Sequence, residues 1–261
     1  MNILDTIIAK KKLEVAEQKQ LRSISELEHE SFFKKTTLSL RSFLLDPAKT
    51  GIIAEFKRKS PSKGVINSTA TVLEVTSAYA KHGASGISVL TDQEFFGGSL
   101  VDLVAATSNH VPLLRKDFMI DEYQLFEAKA FGASVVLLIA ACLSPAEVRY
   151  MATKAKDLGL EVLLEIHNDE ELGHICDEVD LVGVNNRNLK TFEVSIQTSL
   201  DIINKIPKDK IAVAESGISD VDTIVTLREA GFRGFLIGEN FMKQPDPSIA
   251  FADFVNQLKA N

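Results

Sequence analysis

The sequence predicts an α/β fold, a (βα)8 barrel preceded by a helical extension. Three observations carry that prediction. From Gly51 onward, short β-branched or apolar runs alternate with longer amphipathic ones, never two strands or two helices in succession, which calls for a parallel sheet covered by helices. The strand-like runs number eight. Gly83, Gly132, Gly159 and Gly231 each fall just past a helical pattern, where a left-handed residue ends a helix.

In order, the strands are expected at Ile52–Lys57, Gly86–Thr91, Val111–Lys116, Ser134–Ala140, Leu160–Ile166, Leu181–Asn185, Ile211–Glu215 and Gly234–Gly238. Between them, Thr71–His82, Asp121–Phe131, Pro145–Leu158 and Asp220–Ala230 read as helices. Eight strands matched by eight helices close into a TIM barrel; an open doubly wound sheet is the second choice, because no GxGxxG follows the first strand. Residues 1–48 stand outside the repeat: Leu4, Ile7, Ile8 and Val15 mark one amphipathic helix and Leu38 to Leu45 another, and Asp46-Pro47 breaks the pattern before the first strand. The expected organisation is a single domain, 1–261, in which the extension 1–48 packs on the barrel 49–261.

With 261 residues, 45% hydrophobic and 25% charged, the chain is long enough for one large core. A net charge of -7 argues against a nucleic-acid partner, which needs a basic face, yet leaves room for a local basic mouth that takes an anionic metabolite. Cys142 and Cys176 lack any CxxC or His pairing and read as reduced structural thiols; the five histidines show no ligand spacing, so no metal site is expected. The interrupted apolar run at the N-terminus is no signal sequence, and no stretch approaches the about 18 apolar residues of a membrane span. A cytoplasmic protein without a membrane or nucleic-acid partner is expected, with a monomer as the default.

In such a barrel the chemistry sits where the strands end. The first strand ends in Glu55-Phe56-Lys57, and alternation puts Glu55 and Lys57 on one side; the competing reading is a solvated surface pair, which the preceding Ile52-Ile53-Ala54 disfavours. The third strand delivers Lys116 to an equivalent depth. A lysine near another cation and partly desolvated should have a lowered pKa, suited to proton donation near neutrality. Glu165, Asn185 and Glu215 end the fifth, sixth and seventh strands, and a carboxylate buried after an apolar run needs a lysine or a ligand to face it. Ser216-Gly217 after strand seven and Gly238-Glu239 after strand eight occupy the usual phosphate position of these barrels. Phe96 and Phe118 are placed to wall a flat ring or, more simply, to cap the core.

Together these stretches resemble the indole-3-glycerol-phosphate synthase family. The resemblance runs through Ile53-Ala-Glu-Phe-Lys-Arg-Lys-Ser-Pro-Ser62, Ser88-Val-Leu-Thr91 with Phe96-Gly-Gly-Ser99, Leu114-Arg-Lys-Asp-Phe118, Leu164-Glu-Ile-His167, Gly183-Val-Asn-Asn-Arg-Asn-Leu189, Ala214-Glu-Ser-Gly-Ile218 and Leu236-Ile-Gly-Glu239. It implies closure of the indole ring of 1-(2-carboxyphenylamino)-1-deoxyribulose 5-phosphate, with loss of carbon dioxide and water, in tryptophan biosynthesis and without cofactor. It further implies that Lys116 protonates the substrate ketone, Lys57 pairs with its carboxylate and Glu165 removes a proton during dehydration. Glu55, Asn185 and Glu215 would hold hydroxyls and the lysines; Ser60, Phe96, Phe118, Arg187 and Leu189 would line the substrate pocket; Ser216, Gly217, Gly238 and Glu239 would surround the phosphate. How the acid roles divide between Lys57 and Lys116 stays open. Asn240 departs from the smaller residues commoner in the family and is expected to narrow the phosphate loop, and the chain has no Trp. Two rivals are an isomerase barrel of the same pathway, disfavoured because the first strand ends in Glu-Phe-Lys without a cysteine, and a silent scaffold barrel, disfavoured by intact Lys57, Lys116 and Glu165.

Overall fold

A computed structural model describes residues 3–188 and 191–260. The eight predicted strands are present as β1 (Ile52–Phe56), β2 (Gly86–Leu90), β3 (Leu113–Lys116), β4 (Val135–Ile139), β5 (Glu161–Ile166), β6 (Leu181–Asn185), β7 (Ile211–Glu215) and β8 (Gly234–Ile237). Each pairs in parallel with the next, and β8 returns to β1 through Ile52↔Phe235 and its neighbours, closing the barrel. Six of the predicted spans run one or two residues past the observed strands, where the chain leaves the ladder, and Leu181–Asn185 and Ile211–Glu215 match.

The helices are α1 (Ile3–Leu21), α2 (Ile24–Glu28), α3 (Leu40–Leu45), α4 (Val72–Lys81), α5 (Leu100–Ala106), α6 (Tyr123–Ala130), α7 (Pro145–Asp157), α8 (Gln197–Ile202), α9 (Val221–Ala230), α10 (Glu239–Met242) and α11 (Pro247–Ala260). Thr71, Ser144 and Asp220 cap their helices by accepting from the backbone N–H three residues on. Gly83, Gly132, Gly159 and Gly231 take positive φ, as their place after helices requires. The expectation of eight covering α-helices needs one correction. After β5 the connection is a 3-10 turn, Asp169–His174, whose Asp169 and Glu170 are exposed and whose Leu172 is its one large apolar residue, too little for a buried helical stripe.

Alternation along the strands sorts the core into two parts. Ile52, Ala54, Val89, Leu138, Leu164, Val184 and Ala214 point outward against the helices. Ile53, Leu114, Leu163, Leu181, Val213 and Leu236 fill the barrel interior, joined from below by Leu40 and Leu44 of α3. Two residues further up each strand, the same inward parity reaches Glu55, Lys116, Glu165, Gly183 and Glu215. The period that builds the core therefore also delivers the charges to the mouth.

The extension touches both ends of the barrel. At the mouth Lys11 of α1 is 1% exposed, with Nζ 3.0 Å from both Asp92 after β2 and Asp117 after β3 and 2.8 Å from Glu14. Burial alone would push the Lys11 ammonium down, but the carboxylates of Asp117, Asp92 and Glu14 outweigh it and hold it above its ordinary value. Asp117 also receives Arg115 and the Thr91 hydroxyl, and Arg115 reaches Glu127 of α6, so the network is paired throughout. At the other end Ser39, the N-cap of α3, donates to Glu161 at the start of β5.

Candidate active site

Glu55, at 4% exposure, accepts from Lys57 Nζ at 2.8 Å and from the Ser88 hydroxyl at 3.2 Å. Across the mouth Lys116 Nζ lies 3.3 Å from Glu165 Oε2 and 3.9 Å from Glu215 Oε2, and Asn185 Nδ2 donates to Glu165 Oε1 at 3.2 Å. The six predicted catalytic residues thus converge on one cluster. Two glycines, Gly183 in β6 and Gly238 just past β8, make the approach possible: a Cβ on Gly183 would stand 2.1 Å from Glu215 Oε1, and one on Gly238 would stand 2.7 Å from Glu55 Oε1.

The electrostatics correct one expectation. Burial by itself would push Lys116 down, as the sequence suggested, yet Glu165, Glu215 and Glu55 together hold it above its ordinary value. A neighbouring cation and burial favour the lowered value, and the glutamates facing Lys116 outweigh both. Lys116 is therefore kept in its acid form. Burial raises each carboxyl in turn, but Lys57 and Lys116 bring Glu55 below the usual carboxylate range, and Lys116, His167 and Asn185 bring Glu165 well below it. Glu215 is left over: burial first, and then the Glu165 anion, push it up to about 8. Near neutrality the cluster holds two lysine cations, two carboxylates and one carboxylic acid.

A folded-state carboxyl raised in this way stabilises the fold fully below its unfolded value near 4.3 and loses that contribution as pH rises through about 8. Glu215→Gln should therefore raise the melting temperature of the unliganded protein at pH 8.5 relative to wild type, with the gain vanishing by about pH 4, while impairing turnover. Thermal melts across that range check it; an unchanged pH slope would show that Glu215 does not carry the proton.

The cluster opens into a cleft with two adjoining lobes. One, of about 550 Å³, is bordered by Ser216, Gly217, Gly238, Glu239, Lys63 and Lys243. Ser216 and Gly217 sit at φ 66° and 75°, and α10 starts at Glu239, so the first-turn N–H groups of a helix face this lobe. Arg187 Nη2 and Lys63 Nζ each stand 3.7 Å from Glu239. The Asn240 amide donates to the Ser219 carbonyl at 3.0 Å, tying the two loops together; it is drawn toward the loop after β7 rather than simply narrowing the lobe.

The second lobe, of about 180 Å³, holds Lys116, Glu165 and Asn185 below Phe96 and Phe118, whose ring centroids are 6.1 Å apart. Among the described residues the buried Ser60 hydroxyl has no hydrogen-bond partner, and it borders this lobe. Arg187 lines both lobes and its N–H donates to the Asn185 side chain at 3.0 Å. Leu189, also expected here, lies outside the described residues. Residues 58–67 fold as a hairpin, Lys59–Ser60 against Gly64–Val65, anchored by a bidentate Arg58–Asp102 pair.

Sequence reasoning missed several contributors. Ile3, Leu4 and Ile7 of α1 form part of the second lobe. Their helical spacing was visible, but spacing does not say which surface a helix covers. Lys63 and Lys243 went unassigned because a lone lysine in a loop carries no positional signal. His167 was within a quoted motif and given no role.

Two cations held inside a closed barrel beside a glycine-bordered cleft suit a substrate that brings negative charge of its own. They define the class, a (βα)8-barrel enzyme of small phosphorylated compounds. The family profile of indole-3-glycerol phosphate synthase matches residues 4–254. Relatives carrying that name include one from Bacteroides thetaiotaomicron, 48% identical with 99% of each chain covered, and one from Bordetella pertussis, 43% identical over 97% of this chain and 99% of its own. The chain belongs to the indole-3-glycerol phosphate synthase family. In fold alone it is similar to the tryptophan synthase alpha-subunit of Pyrococcus furiosus, with TM-score 0.62, 15% identity and coverage of 82% and 99%. The same holds for 3-hexulose-6-phosphate synthase of Salmonella typhimurium, with TM-score 0.62, 12% identity and coverage of 80% and 98%. Among the described residues no helix is long and apolar enough to cross a membrane.

Proposed function

We infer that the chain catalyses the reaction of its family, closing the indole ring of 1-(2-carboxyphenylamino)-1-deoxyribulose 5-phosphate. The observation that carries this reading is the placement of Lys57 and Lys116 over the same mouth, each backed by its own glutamate, beside the larger glycine-bordered lobe. The phosphate binds among Ser216, Gly217, Gly238 and Glu239, with Lys63 and Arg187 turning from Glu239 to the incoming dianion. The anthranilate ring lies against Phe96 and Phe118, and its carboxylate meets Lys57 and the Ser60 hydroxyl.

With the substrate so held, the ring carbon that bears the carboxylate attacks the ketone carbon. Lys116, already protonated, gives its proton to the ketone oxygen as the new carbon–carbon bond forms. Carbon dioxide leaves and its bonding electrons restore the aromatic ring. The new hydroxyl then takes a second proton from Lys57, freed of the departed carboxylate, and leaves as water while the nitrogen lone pair pushes in through the ring, and Glu165 takes the proton lost from the carbon next to nitrogen to finish the indole. Glu215, as a carboxylic acid, donates to a substrate hydroxyl; Glu55 and Asn185 hold Lys57 and Glu165 in place. Binding in a fixed geometry supplies the rest of the rate enhancement.

In the same reading residues 1–48 and 49–261 are one domain, supported by Lys11 at the mouth and Leu40 and Leu44 inside the barrel, and the enzyme acts as a cytoplasmic monomer. The test is direct because the protein contains no Trp. Indole-type fluorescence should rise when the substrate is added, and it can come from the product alone. Folded protein that gives no rise above buffer with verified substrate would overturn the assignment.

A further inference from the structure

His167 stands two residues beyond Glu165, on the same inward parity, where β5 gives way to the 3-10 turn. Its side chain is 9% exposed and sits between two carboxylates. Nδ1 is 3.2 Å from Glu171 Oε2, and the same oxygen accepts from the His167 backbone N–H at 2.7 Å. On the far side Nε2 is 3.2 Å from Glu165 Oε1, close enough for a charge contact though out of line for a hydrogen bond. Glu171 is in turn fixed by Asn168, whose Nδ2 donates to Glu171 Oε1 at 3.4 Å and whose Oδ1 accepts from the Glu171 N–H at 3.2 Å.

Glu165 is thus approached from three directions: Lys116 on Oε2, Asn185 on Oε1, and the imidazole from behind Oε1. Lys116 cannot hold the carboxylate through the whole reaction, because it is the group assigned to give up a proton. Once it has done so, its charge no longer favours the Glu165 anion, while burial continues to oppose it. A further cation that takes no part in the proton transfer is what the arrangement needs at that moment. Resting on the reading of Glu165 given above, we propose that His167 is a positioning residue: clamped as an imidazolium between Glu171 and Glu165, it keeps the Glu165 carboxylate anionic and aimed into the cleft when Lys116 has lost its proton.

The charged and titratable groups around the ring are consistent with that form. Glu165 comes from β5, Glu171 and His174 from the turn, Cys142 from the turn after β4, and Lys116 lies beyond Glu165. Burial pushes the imidazole down, but the two carboxylates more than reverse this and bring it up to about 10. The Cys142 thiol, pushed up to about 12 by burial and by Glu165 and Glu171, is neutral and does not compete.

The experiment compares pH profiles of kcat for wild type, His167→Asn, Glu171→Gln and Glu165→Gln, followed by product fluorescence. His167→Asn should lower kcat at least about tenfold with KM within about twofold, and should move the acid limb of the kcat profile upward by about one pH unit or more. Glu171→Gln should shift it the same way by less. A folded His167→Asn enzyme with wild-type kcat and acid limb overturns the proposal, as does one whose KM rises while the limb stays in place. If Glu165→Gln itself keeps full turnover, the role of Glu165 fails, a result distinct from either. Nitrogen NMR of the wild-type ring, independent of how the variants fold, should show both nitrogens protonated at pH 7.5; a neutral tautomer there would also overturn it.

Discussion

Lys116→Met is expected to reduce kcat by roughly a thousandfold, the middle of the range for loss of a positioned general acid. Methionine keeps most of the length and apolar stem of lysine, so the mouth stays filled. What disappears is the proton and the charge on which Glu165, Glu215 and Glu55 converge. Lys57 is bound to Glu55 at 2.8 Å on the other side of the mouth and cannot replace it without abandoning that partner. The lone carboxylates left behind can take up protons instead, so the loss of turnover should exceed any loss of stability. Fluorescence-detected turnover beside a thermal melt separates the two. A variant with near-wild-type kcat would remove Lys116 from the acid role.

Lys11→Met carries the largest expected effect on stability, a loss of about 3–5 kcal/mol at neutral pH, the usual result of removing one partner from a buried ion cluster. Asp92 and Asp117, 2% and 3% exposed, would both lose their Lys11 contact, and Arg115 can compensate Asp117 alone. Two linkages set the pH range. Lys11 is raised in the fold, so its contribution is complete below the unfolded lysine value near 10.4 and is lost only as pH climbs through the higher folded value. Asp117 is depressed, so its contribution is complete above about 3.9 and is lost as pH falls through the lower folded value. The gap between wild type and variant should accordingly be flat from about pH 5 to pH 9 and close in acid. Denaturant unfolding at several pH values measures it, and a gap below about 1 kcal/mol would mean that the cluster is not held by its lysine.

Much of this was legible in the chain because one physical rule did two jobs. Alternation placed Ile53, Leu114, Leu163 and Val213 inside the barrel, and the same count carried Glu55, Lys116, Glu165 and Glu215 to the mouth. Local punctuation worked equally well at Thr71, Ser144 and Asp220, where a cap is a contact within a few residues. What escaped were properties that depend on partners far apart in sequence. The sign of the Lys116 shift depends on Glu165 and Glu215, which lie 49 and 99 positions away. The purpose of Lys11, a polar interruption in an apolar stripe, depends on two aspartates from other strands. The 3-10 turn after β5 was misread because the repeat itself suggested a helix where the local residues do not support one.

The extension also bears on the order in which the molecule is made. Lys11 leaves the ribosome 106 residues ahead of Asp117, and Leu40 and Leu44 precede Val213, their companion inside the barrel, by about 170. Contacts of such long sequence separation form late, since the entropy of closing the intervening chain must first be met. The extension is therefore among the last segments to settle, and until it does Lys11 lacks the aspartates that pair it. On refolding, recovery of sheet structure should precede recovery of a closed mouth, so the appearance of activity, rather than of secondary structure, marks the moment at which the extension docks on the barrel.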